Sequence, residues 1–372
     1  MMEKIKVGVI FGGRSGEHEV SLMSARSVLN VISSDKYDVY PIVITPEGEW
    51  RWGKDALAQV AAGHPENLHQ AAIFPDVKRR GLYSIRRSGD VEVLEQVTDL
   101  DVIFPVLHGS YGEDGTLQGL LEMNDIAYVG AGVLGSSVGM DKGLFKDVMV
   151  ANHVPVVPSI LVNRLDILHN MVEVVSRAEK ISGYPLFVKP ANMGSSVGVT
   201  KCCNRSDLTE GLLEATRFDR RVLIEHGVDA REIEVSVLGN DNPKASLPGE
   251  IIPGADFYSY EAKYILDNSQ LIIPAKISDE QTARVREIAV KAYLAADCAG
   301  LARVDFLLDK TTGELFLNEI NTIPGFTSIS MYPKLWEATG IPYAELVDQL
   351  INFALQRKAE RDATIRSYRR DE

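Results

Sequence analysis

Short apolar runs and amphipathic stretches alternate along the chain, and that alternation predicts strands and helices in turn. Residues 5–11 are an apolar run that ends in Gly12-Gly13. Over residues 15–32, Val20, Met23, Ser24, Ser27, Val28 and Val31 recur near every 3.6 positions, which predicts a helix. Residues 38–45 read as a second buried strand. Strand, glycine turn, helix and strand make a βαβ unit, and such units build parallel sheets. Between Trp50 and Leu100 the pattern weakens, except that residues 82–86 and 91–96 flank Ser88-Gly89-Asp90 as a hairpin. Residues 101–107 form another apolar strand and 117–123 a helix.

Further on, residues 142–152 and 207–217 read as helices, and 156–161, 186–190, 197–201 and 222–225 as strands. From Arg231 the pattern changes. Residues 234–238 and 301–308 are strands, 279–296 a long helix, and 314–319 pairs back on 301–308 across the turn at 309–313. A long helix from Tyr343 closes the chain. The expectation is α/β throughout, in three units: 1–140, 141–230 and 231–372, the first built on a parallel sheet.

Length supports the division, since 372 residues exceed what one small core organises. The formal net charge of −13 argues against nucleic acid or an acidic membrane surface as the main partner, though not against a local basic pocket. Cys202, Cys203 and Cys298 form neither a disulfide framework nor a zinc pattern, and read as inert thiols in a reducing compartment. No signal-peptide pattern and no apolar run of spanning length is present, so a cytoplasmic location is expected.

The first glycine turn, Gly12-Gly13-Arg14-Ser15-Gly16-Glu17-His18-Glu19, lies where open parallel sheets place their binding crevice. It is neither a dinucleotide fingerprint nor a P-loop. Glu17 could hold a substrate ammonium there, whereas Glu19 fits simple pairing with the helix dipole. His108-Gly109 should open into the same crevice, with Glu113 and Asp114 as helix-entry residues. In the middle unit a strand ends in Lys189, and the small-residue loop Gly194-Ser195-Ser196 follows. Such a loop lets backbone N–H groups approach phosphate oxygens while the lysine adds charge. Residues 223–228 could offer backbone groups to an adenine edge, and Glu232 could take ribose hydroxyls. Arg303 and Asp305 share a face of one strand, as Glu319 and Asn321 do on the next. Hard oxygens at that spacing suit Mg²⁺; the bland reading is a buried salt bridge from Arg303. Gly325 and Ser330, at a helix entry, could bind a carboxylate.

Taken together, Lys189, the Gly194-Ser195-Ser196 loop, Glu225, Glu232, Arg303-x-Asp305 and Glu319-x-Asn321 resemble the ATP-grasp ligases. Adding Gly12-Gly13-x-Ser15-x-Glu17-His18, His108-Gly109, Gly112-Glu113-Asp114-Gly115, Met140-Asp141-Lys142 and Asn321-Thr322-x-Pro324-Gly325 narrows the resemblance to the D-alanine–D-alanine ligases, in order and over nearly the whole chain. That resemblance implies ATP gripped between the second and third units. Lys142 and Lys189 would contact its phosphates beneath the Ser195–Ser196 loop. Glu225, with Gly227 and Val228 by backbone, would receive adenine, and Glu232 the ribose. Asp305, Glu319 and Asn321 would hold two Mg²⁺ (or Mn²⁺). Glu17, bonded with Ser195 and Tyr264, would bind the first D-alanine; Arg303 and Gly325 would stabilise the tetrahedral intermediate. His108, Lys263 and Ser330 would contact substrate, the last two through the second carboxylate, and residues 256–268 would form a lid. A homodimer is implied as well. Met193 and Gly227 depart from many relatives, which carry an acidic and a larger apolar residue there. A D-alanine–D-lactate or D-alanine–D-serine ligase is the near alternative, and a nucleotide-binding regulator without turnover the remote one.

Overall fold

The computed structural model of the chain describes residues 3–252 and 270–365. Strand Ile5–Gly12 pairs in parallel with Tyr37–Ile44 on one side and Val102–Pro105 on the other. The helix His18–Val31 makes the first crossover. It starts three residues later than its periodicity suggests, because Gly12 and Gly13 take positive φ and the turn runs on through Ser15–Glu17. Met23, one of the residues at that spacing, is 44 % exposed; Val20, Ser21, Ser24, Ala25 and Val28 are the buried set.

The first sheet has eight strands, and only the half that includes Ile5–Gly12 is parallel. The weakly patterned stretch builds the other half as an antiparallel extension through Trp50–Trp52, His69–Ala72, Leu82–Ser88 and Val91–Thr98. Its last two strands are the expected hairpin, with Gly89 at φ 64° in a two-residue turn. Val91–Thr98 is mostly exposed at the sheet edge, so the alternation that marks a half-buried strand is absent from its sequence.

A second, antiparallel sheet orders Thr200–Cys202, Leu186–Pro190, Arg221–His226 and Ser159–Asn163. Two strands expected from apolar runs begin late: Val156 makes only an isolated bridge to Leu317, and residues 197–199 belong to the preceding loop. The third sheet, among the described residues, orders Gln270–Ile272, Gly249–Ile252, Ala230–Gly239, Gly300–Asp309 and Leu315–Asn321. Its inner face (Ile233, Val235, Val237, Ala302, Val304, Phe306) packs on the helix Asp279–Ala295. Ser278 and Gln281 close that helix's N-terminus with a capping box. Strict alternation leaves Glu232, Glu234, Arg303 and Asp305 on the opposite face.

Two packing relations cross the sequence order. The helix Tyr343–Asp362 buries Leu346, Val347, Leu350 and Ile351 in the core of the first sheet, beside Val7 and Phe104. The helices Val133–Met140 and Lys142–Ala151 supply Val138, Phe145 and Met149 to the core of the third. No helix among the described residues is long and apolar enough to cross a membrane. Cys202 and Cys298 are buried, Cys203 is exposed, and all three are free thiols.

Candidate active site

Three strand ends and one loop converge on a single crevice. At the first sheet, Gly12 takes φ 87°, and a Cβ there would lie 2.3 Å from the Ile44 carbonyl oxygen, so only glycine turns the chain so tightly. Its N–H donates to Ser21 Oγ at 2.7 Å, fixing the turn to the helix behind it. Glu17 is the N-cap residue, but its carboxylate makes no cap bond. It accepts a short hydrogen bond from the Ser195 hydroxyl across 178 positions of sequence. Gly109 and Gly194 flank that carboxylate: a Cβ on either would come within 2.5 Å or 3.0 Å of Glu17 Oε2. A cavity of about 380 Å³ opens beside it, lined by Ser15, Glu17, Gly109, Met193, Gly194 and Ser196, among others.

His108 is 3 % exposed. Nδ1 lies 3.0 Å from the Ile323 carbonyl oxygen, so that nitrogen carries the proton, and Nε2 lies 2.9 Å from Ser24 Oγ. Nδ1 therefore joins the first sheet to the Thr322–Phe326 loop, and Nε2 ties the ring to the helix His18–Val31. Burial opposes a charge on His108, but Glu113, 3.6 Å from Nδ1, outweighs it and pushes the imidazole's pKa up. Burial likewise pushes Glu113 up. Asp114 is the helix-entry residue expected, accepting from Tyr111 and Thr116 N–H; Glu113 instead faces inward and accepts from Gly109 N–H at 3.3 Å.

The Ser195–Ser196 loop holds both serines at positive φ, 52° and 58°, a region rare for residues with a Cβ. Lys142 Nζ donates to the Met193 carbonyl at 2.7 Å, and Lys142 N–H to Ala191 at 2.8 Å, so this lysine ties the loop's base to its own helix. Lys189 ends its strand on the crevice side. Its ammonium contacts the Glu225 carboxylate, which also lies 3.0 Å from Lys146. Burial resists charge on Glu225, yet the two lysines overcome it and hold the carboxyl at about 2. The Glu225 side chain is thus engaged with two cations. Gly227 is limited to its carbonyl, because its N–H donates to Pro185 at 2.9 Å. A Cβ at 227 would meet that same Pro185 oxygen at 2.7 Å, which explains the absence of the larger residue expected there.

On the third sheet, Glu234, Asp305 and Glu319 lie directly opposite one another on three adjacent strands, and Ser236, Arg303 and Asn321 form the next row. Arg303 grips Asp305 with two bonds of 2.8 and 2.7 Å and lies 3.0 Å from Glu234. The ion pair weighed as the bland reading is therefore present, and it includes Asn321, which donates to Asp305 Oδ2 at 2.9 Å. A bulge between Asp305 and Phe306 makes Asn318 the extra residue. It lets Leu317 and Ile320 both face the core while Glu319 and Asn321 face the crevice. Among the described residues no three His, Cys, Asp or Glu side chains gather closely enough to hold a metal alone. Two carboxylates plus an amide fit Mg²⁺, which commonly takes one or two carboxylates and completes its shell with phosphate oxygens and water.

Gly325 and Ser330 meet as expected: a Cβ at 325 would lie 3.2 Å from Ser330 Oγ. Ser330 occupies the N-cap of Met331–Ala338, but its hydroxyl bonds back to Thr327 N–H at 3.1 Å and Thr327 Oγ1 at 2.7 Å rather than capping the helix. Lys263, Tyr264 and the expected lid at 256–268 lie outside the described residues. The sequence pattern gave no role to Ser24, Lys146 or Glu234. Lys146 is four residues after Lys142 and Glu234 two after Glu232, so helix and strand periodicity placed each on its neighbour's side.

The D-ala D-ala ligase N-terminus family matches residues 6–131, and the D-ala D-ala ligase C-terminus family residues 148–352. A D-alanine–D-alanine ligase of Thermoanaerobacter sp. strain X514 is 49 % identical over 362 residues, 97 % of this chain and 99 % of its own. One from Heliobacterium modesticaldum is 47 % identical over 367 residues, 98 % and 99 %. Among solved structures, the D-alanine-D-alanine ligase of Coxiella burnetii superposes with a TM-score of 0.82 at 37 % identity, covering 97 % and 96 % of the two chains. The VanG D-Ala:D-Ser ligase of Enterococcus faecalis gives 0.83 at 34 %, covering 95 % and 100 %. Fold and site define an ATP-dependent ligase of the ATP-grasp class. The chain belongs to the D-ala D-ala ligase family, which catalyses ATP-dependent joining of D-alanine for peptidoglycan synthesis.

Proposed function

We propose that this chain condenses two D-alanines in the crevice between Glu17 and Arg303, through an acyl phosphate. The observation that carries the reading is that the Ser195 loop bonds both Glu17 and Lys142, and that Lys142 lies 4.0 Å from Glu319, which is opposite Asp305 on the next strand. Lys142 and Lys189 take the ATP phosphates under the Ser195–Ser196 loop. The Gly227 carbonyl and Val228 backbone meet the adenine, and Glu232 the ribose. Glu17, oriented by Ser195, holds the ammonium of the first D-alanine while that D-alanine's carboxylate oxygen attacks the γ-phosphorus and ADP departs. The amine of the second D-alanine then attacks the acyl carbon. Arg303 and the Gly325 N–H carry the charge on the tetrahedral oxygen, and phosphate leaves. His108 holds the Gly325 loop in place for that step, and Ser330, with Lys263, takes the second carboxylate. Tyr264 completes the group around Glu17. Asp305, Glu319 and Asn321 would hold two Mg²⁺, which neutralise phosphate charge when bound.

The 1–140, 141–230 and 231–372 division, drawn from the element pattern, a cytoplasmic location, drawn from the cysteines and the absence of a signal pattern, and a homodimer, drawn from the resemblance, belong to the same reading. The test is phosphate release from ATP and Mg²⁺ with D-alanine, L-alanine, D-alanine plus D-lactate, or D-alanine plus D-serine, with products identified by mass. D-alanyl-D-alanine from D-alanine alone is the expected result. A mixed product favoured over the dipeptide would move the chain to the D-lactate or D-serine ligases, and no release with any would overturn the substrate assignment.

A further inference from the structure

Lys146 has no role in the site just described, yet its surroundings are those of a working charge. Its side chain is 6 % exposed, and its ammonium lies 3.0 Å from Glu225 Oε2. A buried ammonium is costly unless it is paired and hydrogen-bonded. Here one carboxylate is shared between two lysines, and the other lysine, Lys189, stands at the wall of the crevice. Burial pulls the Lys146 pKa down and Glu225 opposes it, while at Lys189 the same carboxylate outweighs burial and pushes the ammonium's pKa up.

The second attachment of Lys146 leads to the opposite wall. Its Nζ donates to the Val157 carbonyl at 3.2 Å. Two residues earlier, the Pro155 carbonyl accepts from Leu317 N–H at 2.8 Å, and Val156 bridges Leu317 in parallel. Leu317 belongs to the strand that presents Glu319 and Asn321. One buried side chain is therefore bonded both to the carboxylate that anchors Lys189 and to the segment that clamps the Glu319 strand.

We propose that Lys146 is a positioning residue: by sharing Glu225 with Lys189 and holding Val157, it sets the Lys189 ammonium at a fixed separation from Glu319 and Asn321, so that ATP phosphates meet both walls at once. The proposal rests on the reading of Lys189 as a phosphate ligand. Without Lys146, Glu225 pairs with Lys189 alone and draws its ammonium back from the crevice.

The experiment compares full-length Lys146→Met, Lys146→Gln and Lys146→Arg with wild type, Lys189→Met and the Lys146→Met/Lys189→Met double variant. It measures KM for ATP and for D-alanine, kcat, ATP affinity by direct titration, and thermal unfolding. Misplacing one charge-assisted bond corresponds to a rise in KM for ATP of about 10- to 100-fold, with KM for D-alanine near wild type. Lys146→Arg should recover most of the loss, and Lys146→Met should add nothing in the Lys189→Met background. The neutral but hydrogen-bonding Lys146→Gln carries the test if Lys146→Met fails to fold. A folded Met or Gln variant with unchanged ATP affinity overturns the proposal, as do losses that add independently in the double variant. If Lys189→Met itself binds ATP normally, the phosphate-ligand reading fails, and this proposal with it; normal binding by the Lys146 variants beside weakened Lys189→Met overturns the proposal alone.

Discussion

Arg303 sits between Glu234 and Asp305, and that bracket decides what each charge can do. Replacing Asp305 by Asn keeps the shape and leaves Glu234 to pair the guanidinium, so the fold should survive. Removing one oxygen charge from a site that stabilises phosphoryl transfer should lower kcat by about 10²–10³-fold. Phosphate release across a Mg²⁺ titration checks this; wild-type turnover with an unchanged Mg²⁺ requirement would remove Asp305 from the metal set. Glu225 makes a prediction about pH. Its carboxyl lies below its ordinary value of 4.5, at about 2, so its stabilisation is complete above about pH 5 and is lost as pH falls through that interval. The shift corresponds to something on the order of 3 kcal/mol. Glu225→Gln should be less stable than wild type at pH 7, with the gap closing towards pH 2 in denaturant unfolding. A gap that stays constant from pH 7 to pH 2 would mean that the lysines do not depend on this carboxylate.

Elements bring these residues together through small departures from regularity. The bulge at Asn318 turns Leu317 and Ile320 inward together, so that Glu319 and Asn321 face Asp305 and Arg303. Simple alternation in the sequence paired Glu319 with Asn321 correctly, but the irregular step between 317 and 319 was not legible, because no local signal marks it. The hinge after Arg221–His226 shows the opposite case, a glycine whose reason is tertiary. Gly227→Leu places a Cβ 2.7 Å from the Pro185 carbonyl oxygen and should force the hinge away from Phe187. The expected cost is about 1–3 kcal/mol of overpacking, with a raised KM for ATP. Equal stability and equal KM in this variant would show that position 227 tolerates a larger apolar side chain.

At the scale of the whole molecule, the last helix closes the core of the first sheet. Leu346, Val347, Leu350 and Ile351 pack with Val7, Val9 and Phe104, while Arg357 lies over the Tyr128 ring at 4.3 Å and donates to the Tyr128 and Gly130 carbonyls. Phe326, one residue beyond Gly325, sits in the same core, edge-on to Phe104 and in tilted contact with Tyr332 and Tyr343. The loop that presents Gly325 is thus held by packing between chain ends. Leu350→Ala should cost about 2–5 kcal/mol. It should also lower the unfolding midpoint reported by the first sheet as much as that of the whole, which hydrogen exchange at Val7–Phe11 checks. Unchanged protection there would mean that the sheet stands without the helix.

Sequence alone carried the element types of the strongly patterned segments, the βαβ start, the hairpin at Gly89 and the rows that carry Arg303, Asp305, Glu319 and Asn321. Each of these follows from local periodicity and turn chemistry, which act over a few residues. It also marked Glu17 and Ser195 as residues of interest, because glycine-rich turns at strand ends are readable one at a time. Folding in three dimensions was needed to show that Ser195 bonds Glu17, that Glu225 contacts both Lys146 and Lys189, and that His108 Nδ1 holds the Ile323 carbonyl beside Gly325. It alone decided that the weakly patterned middle of the first unit extends the sheet and that the final helix returns to cover it. Those outcomes depend on which surfaces meet across tens to hundreds of residues. A side chain's partner there is fixed by burial and charge compensation in three dimensions, on which local periodicity is silent.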